Sequence, residues 1–152
     1  MWLLRRLKNI NLEPHLIIDF YLKEIRSIAE HCVAIWNSGL TKKQVCTLEK
    51  IQKVALKITL GEQYISYEHA RQKFNLSTLA ERREELCINF AVKLFQSKHS
   101  EKFFTLSNTD VSTRHKKLLV EASCNTKKCF TAAHNYLTRL VNENSKKLNL
   151  KK

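Results

Sequence analysis

Residues 40–61, LTKKQVCTLEKIQKVALKITLG, constrain the fold more than any other part of the chain, because they combine a helical apolar period with five lysines. At about 100° per residue the apolar side chains share one broad arc. They are Val45, Leu48, Ile51, Ala55 and Ile58. The lysines share a different arc, and they are Lys43, Lys50, Lys53, Lys57 and, at its edge, Lys42. The pattern predicts a helix that buries one face and turns a cationic face to water or to an anion.

The rest of the chain also favours helices. Two glycines and one proline occur in 152 residues, which disfavours turn-rich β architectures. Apolar residues make up 43% of the chain, enough for a sizeable core at this length. We therefore predict an all-α fold, a small helical bundle with a partly disordered basic C-terminal region.

Local signals predict where the helices begin and end. Pro14 suits the first turn of a continuous helix over about 15–36. Its predicted buried stripe comprises Ile18, Tyr21, Leu22, Ile25, Ile28, Ala29, Cys32 and Ile35. Thr41 and Gly61 are expected to cap the lysine-bearing helix. Ser66 is expected to cap a further short helix, and Ser77 or Thr78 is expected to cap the next one, with Glu81 in a capping-box position. That helix spans about 79–95. Its predicted buried residues are Leu79, Leu86, Phe90 and Leu94, together with Cys87 and Ala91.

These signals suggest three parts of the chain. Residues 1–97 form the helical domain. Residues 98–130 form a polar, partly disordered linker, in which LLVEA is short enough to be extended. Residues 131–152 form a short helix and a frayed basic tail.

The charge balance predicts a polyanionic partner. Against 14 acidic residues stand 27 lysines and arginines, for a net charge of +13 and a pI near 9.7. Such a charge favours nucleic acid over an anionic membrane surface. No apolar run approaches the roughly 18 residues that span a bilayer, so we predict no membrane association.

The five cysteines are odd in number and irregularly spaced. Cys32, Cys46 and Cys87 lie in apolar helical patterns and are interpreted as reduced core residues. With no signal peptide recognisable, we expect an intracellular location, nucleus or cytoplasm.

A zinc site is a weaker interpretation of the C-terminal cysteines. Cys124, Cys129 and His134 are spaced like part of a site, but the fourth ligand is missing and His115 is the only nearby candidate. We favour ordinary cysteines and histidines here, and predict no metal and no cofactor.

Catalytic machinery is not recognisable. The two aspartates, Asp19 and Asp110, lie far apart, and there is no Asp-Asp pair to hold the metal ions of a polymerase. His31 and Cys32 are adjacent, and adjacent side chains on a helix point about 100° apart, which rules out a dyad. Standing alone, the chain is predicted not to be an enzyme.

The segment AERREEL carries Arg82 and Arg83 among three glutamates. We favour a solvated face with local ion pairs, each worth a few tenths of a kcal/mol. A phosphate-binding role for either arginine is the alternative.

Four blocks of the chain, in this order and spacing, resemble the region after the catalytic palm in reverse transcriptases of non-LTR (jockey-type) retrotransposons. The first block is WLLRRLKN. The most specific elements of the next two are IRSIAEHCVAIW, LEKIQKVALKITLG and SYEHARQKFNLSTLAERR, and YLTRLVNE follows more loosely. The family's Leu-Glu-x-x-Gln form is matched by Leu48, Glu49 and Gln52. Its paired arginines after Thr-Leu are matched by Arg82 and Arg83. The resemblance covers residues 2–95 well and 131–144 loosely.

The resemblance implies a thumb-like helical domain and the connection beyond it, which in this family of RNA-directed DNA polymerases packs on the palm and grips the template–primer duplex. Fingers and palm, with their metal-binding aspartates, are not in this sequence, so the resemblance implies a fragment that is non-catalytic by itself. The uncapped start at Met1 is then expected to lie within a longer helix of the parent enzyme.

We therefore expect sequence-independent binding of RNA, DNA or their hybrid. The candidate contacts are Lys42, Lys43, Lys50, Lys53, Lys57, Arg82 and Arg83. One alternative is a protein-interaction scaffold whose apolar patch, once meant for a palm domain, comprises Trp2, Leu3, Leu4 and Leu7. A second alternative is a mobile-element remnant with no selected role.

Overall fold

The structure, a computed structural model, describes residues 1–107 and 117–145. Within these ranges the fold is all-α, as predicted, and the only β pairing is one antiparallel bridge between Leu106 and Leu119. No helix in the described ranges is long and apolar enough to cross a membrane. Parts of the predicted linker, 108–116, and of the predicted basic tail, 146–152, lie outside the described residues.

The helices are short except for two. In chain order they are α1 (Trp2–Asn9), α2 (Pro14–Phe20), a π-helix (Tyr21–Arg26), α3 (Ser27–Glu30), α4 (Val33–Trp36), α5 (Lys42–Leu60), α6 (Tyr67–Lys73), α7 (Leu79–Gln96), α8 (Ser100–Phe103), α9 (Lys127–Phe130) and α10 (Ala133–Asn144). Single 3₁₀ turns occupy Asn37–Gly39 and Gly61–Gln63.

The chain divides into two compact units. The first comprises Met1–His31 and Leu40–Arg82, and the second comprises Cys32–Gly39 and the described residues from Arg83 onward. The predicted linker contributes α8, α9 and the fully buried Leu119 to the second unit.

Helix α5 is the centre of the first unit. Its Ala55 packs with Leu4, Ile17 and Tyr21 in one apolar cluster. Its Leu56 and Leu60 pack with Ile18 and Ala70 in a second cluster. Because α5 buries side chains in both clusters, it fixes α1, α2 and α6 around itself.

The caps predicted for the long helices are confirmed. Thr41 and Gln44 form a reciprocal capping box at the start of α5. Gly61 ends α5 with φ +55°, a conformation that favours glycine. Thr78 and Glu81 exchange backbone and side-chain hydrogen bonds at the start of α7, at 2.9 and 3.1 Å.

The continuous helix predicted over 15–36 is wrong. The chain passes through a π-helix at Tyr21–Arg26 and then breaks at Cys32, whose φ of +52° is left-handed. A π-turn and a left-handed residue each change the angular phase of the side chains that follow. The predicted buried stripe therefore fails after the π-helix, where Ile28 is 77% exposed, Ile35 is 65% exposed and Cys32 is exposed as well.

Two further burial predictions are wrong. Cys46 is exposed, whereas Cys87 is buried as expected. On α7, Phe90 is 46% exposed because the buried residues instead follow a four-residue spacing through Arg83, Cys87, Ala91 and Phe95.

The core of the second unit forms around α7 and α10. Cys87, Ala91 and Phe95 of α7 pack with Leu140 and Val141 of α10. Burial raises the pKa of the Cys87 thiol above its ordinary value. Cys87 is therefore an inert core thiol.

Candidate nucleic-acid interface

The five lysines of α5 form an exposed cationic face. Lys42, Lys43, Lys50, Lys53 and Lys57 are all exposed. From Lys43 to Lys57 the face is about 21 Å long at the ordinary helical rise. Within the described ranges none of the five forms an ion pair, and Lys53 Nζ lies 5.4 Å from the ring centre of Tyr67. We call these five residues the lysine face.

The single carboxylate of α5 does not neutralise the lysine face, because it is directed into the first unit. Glu49 accepts a hydrogen bond from the Tyr67 hydroxyl and another from the backbone N–H of Leu79, the latter at 3.2 Å. Both donors belong to neighbouring elements, so Glu49 ties α5 to α6 and to the start of α7. The exposed side of α5 therefore carries positive charge alone.

Gln52 completes this internal network. It is fully buried, donates from Nε2 to Ser77 O at 2.8 Å and to the Tyr67 hydroxyl at 3.0 Å, and accepts from the Tyr21 hydroxyl at 3.3 Å. Every polar atom of its amide therefore has a partner. Glu49 and Gln52 of the Leu-Glu-x-x-Gln form thus hold the first unit together, a role that the sequence pattern did not reveal.

Burial raises the pKa of the two tyrosines in this network. Desolvation raises the pKa of Tyr21 and of Tyr67 well above the ordinary phenol value. For Tyr67 the hydrogen bond to Glu49 acts in the same direction, because it is made by the protonated phenol. Both hydroxyls are consequently fixed donors at neutral pH.

Arg82 lies beside Glu30 rather than on the lysine face. Its Nε is 3.8 Å from Glu30 Oε1, and Arg26 Nε approaches the same oxygen at 3.2 Å. Two guanidinium groups thus share one carboxylate, and all three side chains are largely covered, with exposures from 14% to 31%.

Arg83 is a core residue of the second unit. It is 3% exposed, and its Nε donates to Asn37 Oδ1 at 3.1 Å. The amide of Asn37 in turn donates to the Tyr136 hydroxyl at 3.4 Å. The structure therefore places the two arginines of AERREEL in different units and gives Arg83 an internal partner.

The apolar patch predicted on α1 is divided by the fold. Leu4 is fully buried and Leu7 packs partly against the same cluster. Trp2 and Leu3 remain 62% and 52% exposed. The guanidinium of Arg6 lies over the Trp2 ring at 4.8 Å from its centre, a cation–π contact at the surface.

The residues with partial zinc-site spacing are only partly brought together by the fold. Cys124 and Cys129 meet with their sulfurs 3.2 Å apart. The His134 ring instead stacks on Phe104, with ring centres 6.4 Å apart. Across the described ranges no group of three or more potential ligands is arranged to hold a metal, and His115 lies outside those ranges.

No protein family, curated protein or solved structure matches the chain.

Proposed function

We propose that this chain is a non-catalytic helical module, akin to the thumb region of a non-LTR retrotransposon reverse transcriptase, that binds nucleic acid duplexes without sequence preference. Its contact surface is the lysine face of α5. The observation that carries the proposal is the one-sided charge of this helix, with five exposed lysines outward and its only carboxylate directed inward.

Lysine suits a surface that follows a sugar–phosphate backbone. Its ammonium group is a point charge on a flexible stem, and it contacts phosphates without reading base edges. Duplex DNA presents one charge per about 1.7 Å of axis, so a face about 21 Å long spans several phosphates of one strand. Because α5 packs into two apolar clusters, its lysines keep a fixed spacing that can match the spacing of the phosphates.

Salt dependence tests the proposal directly. Each phosphate neutralised on B-form duplex contributes about −0.9 to the slope of log K against log salt. We expect replacement of Lys43, Lys50, Lys53 and Lys57 by glutamine to flatten the slope by about 3 to 4. Fluorescence anisotropy on a labelled RNA–DNA hybrid, titrated at several salt concentrations, measures it.

The matched control removes the same charge elsewhere. Lys23, Lys73, Lys93 and Lys102 are exposed lysines outside α5, and their replacement by glutamine should leave the slope within about one contact of the parent value. If both quadruple variants lower the slope equally, net charge alone drives binding. If the α5 variant keeps the parent slope, α5 is not the contact surface.

A protein-docking module is the second candidate, and the exposed pair Trp2 and Leu3 supports it. A partner would bury the indole ring that Arg6 now covers from one side. Gel filtration distinguishes the two functions. A monomer with steep salt-dependent duplex binding favours nucleic acid, and an oligomer insensitive to salt, lost on Trp2→Ala, favours docking.

A further inference from the structure

Two half-buried cysteines face each other at the start of α9. Cys124 precedes the helix and Cys129 lies within it, with Sγ atoms 3.2 Å apart. The turn between them is held by Thr126, whose hydroxyl accepts the backbone N–H of Cys129 at 3.2 Å. The local fold therefore brings the thiols together without contributions from distant parts of the chain.

Asn135 of α10 holds the pair in place. Its Nδ2 donates to Cys129 O at 2.8 Å and to Cys124 Sγ at 3.3 Å, and it lies 3.5 Å from Cys129 Sγ. Both sulfurs thus lie beside one amide donor, while the contact with Cys129 and partial burial raise the pKa of the Cys124 thiol above its ordinary value. The arrangement differs from a metal site, because the third neighbour of the sulfurs is an N–H donor and cannot be a ligand.

A cavity of about 250 Å³ gives access to the Cys124 side of the pair. Its walls include Glu121, Cys124, Phe130, Asn135 and Arg139. Arg139 is fixed there, because its Nη2 donates to Phe130 O at 2.9 Å and its guanidinium lies 3.6 Å from the centre of the Phe130 ring. The carboxylates of a small disulfide compound such as glutathione disulfide can pair with this cation as the compound approaches Cys124.

We propose that Cys124 and Cys129 form a redox modification site, a dithiol that glutathione disulfide converts reversibly into an intramolecular disulfide. One protein thiolate attacks a sulfur of glutathione disulfide, which forms a mixed disulfide and releases one glutathione thiolate. The other protein thiolate then attacks the protein sulfur of that mixed disulfide and releases the second glutathione. Two electrons pass from the cysteines to the oxidant, and the two thiol protons go to solvent or to the released glutathione.

The sequence around the pair allows a direct test on the full chain. Trypsin cleaves after Lys127 and Lys128, so LLVEASCNTK and CFTAAHNYLTR separate unless a disulfide joins them. The protein is equilibrated at several ratios of reduced to oxidised glutathione, quenched with acid, blocked with N-ethylmaleimide and mapped by mass spectrometry. We expect the joined peptides to exceed glutathione adducts of either cysteine about tenfold, because a thiol held in place outcompetes dissolved glutathione.

Other cysteines of the chain are the controls. Cys32 and Cys46 are exposed without a neighbouring thiol described at their sites, and we expect only single glutathione adducts on them. Cys124→Ser and Cys129→Ser should each accumulate a glutathione adduct on the remaining cysteine. The proposal is overturned if the parent protein also keeps such adducts, or if the joined peptides appear only at ratios that fully modify Cys32 and Cys46.

Discussion

The backbone N–H of Leu79 donates to Glu49 Oε1 at 3.2 Å, so a side chain of α5 provides the hydrogen-bond acceptor for the first N–H group of α7. The first N–H groups of any helix have no partner within that helix. Thr78 serves one of them locally, through its contact with the Glu81 backbone N–H. Glu49 serves another from a distant part of the chain, and at the same time accepts the Tyr67 hydroxyl.

This arrangement predicts that Glu49→Gln destabilises the protein. Hydrogen bonds to a charged acceptor are about twice as strong as neutral ones, so we expect a loss of about 1–2 kcal/mol in the free energy of unfolding, measured by urea denaturation. Glu62 is exposed, and Glu62→Gln should change the free energy by less than about 0.5 kcal/mol. Equal effects of the two substitutions would show that the Glu49 contacts contribute nothing.

Gln52→Ala should lower the free energy of unfolding more than Glu49→Gln does. The substitution leaves Ser77 O, Tyr67 and Tyr21 without their shared amide and opens a cavity at a fully buried position. We expect a loss of about 2–4 kcal/mol in the free energy of unfolding. Gln72 on α6 is exposed, so Gln72→Ala is the matched control, and a similarly small loss for both would contradict the network.

The two glycines should respond differently to alanine. Gly61 has φ +55° and ψ −120°, a backbone conformation that side chains disfavour, so Gly61→Ala should cost about 1–3 kcal/mol. A Cβ at Gly39 would meet nothing within 4 Å, and its φ is not positive. In thermal unfolding we therefore expect a lower Tm for Gly61→Ala than for the parent protein, and a Tm near the parent value for Gly39→Ala. A larger loss for Gly39→Ala would contradict the assignment of strain to Gly61.

The buried tyrosines predict alkaline unfolding. Burial raises the pKa of Tyr21 and Tyr67, and it raises that of Tyr136 to about 12. Because these pKa values are raised in the folded state, the stabilisation is complete below the unfolded value of about 10 and is lost as pH rises from there through the folded values.

Tyrosinate absorbance and circular dichroism, followed together, check this prediction. Absorbance from Tyr21, Tyr67 and Tyr136 should rise only as helicity is lost. Tyr67→Phe removes one of the three late-titrating phenols and should lower the amplitude of that transition. Complete ionisation of all three in a fully helical protein would contradict their burial.

Arg83→Ala should destabilise the second unit without changing duplex binding. The substitution removes a buried guanidinium and leaves Asn37 Oδ1 without its donor. We expect a loss of about 2–3 kcal/mol in the free energy of unfolding, and a salt slope equal to that of the parent. Arg5 is exposed, so Arg5→Ala is the control for charge, and a flattened salt slope for Arg83→Ala alone would assign Arg83 to the interface.

Local chemistry was sufficient to predict the helix ends at Thr41 and Gly61, and to restrict the cap of α7 to Ser77 or Thr78. A cap involves residues three or four positions apart, so a short stretch of sequence includes both partners of the interaction. The lysines of α5 were likewise predicted to share an exposed face, because one uninterrupted helix preserves the period of its side chains. The all-α class follows from the same uninterrupted periods and from the near absence of glycine and proline.

Burial at Cys32, Ile35, Cys46 and Phe90 depended on packing between elements. A left-handed residue at Cys32 resets the helical phase, and no composition rule marks it in advance. In the sequence, Glu49 and Gln52 are ordinary polar positions of an amphipathic helix. Their partners Tyr67, Ser77 and Leu79 come close only in the folded chain. Hydrogen bonds between residues 15 to 30 positions apart exist only once the chain has folded, which is why the tertiary structure alone separates the inward carboxylate of α5 from its outward lysines.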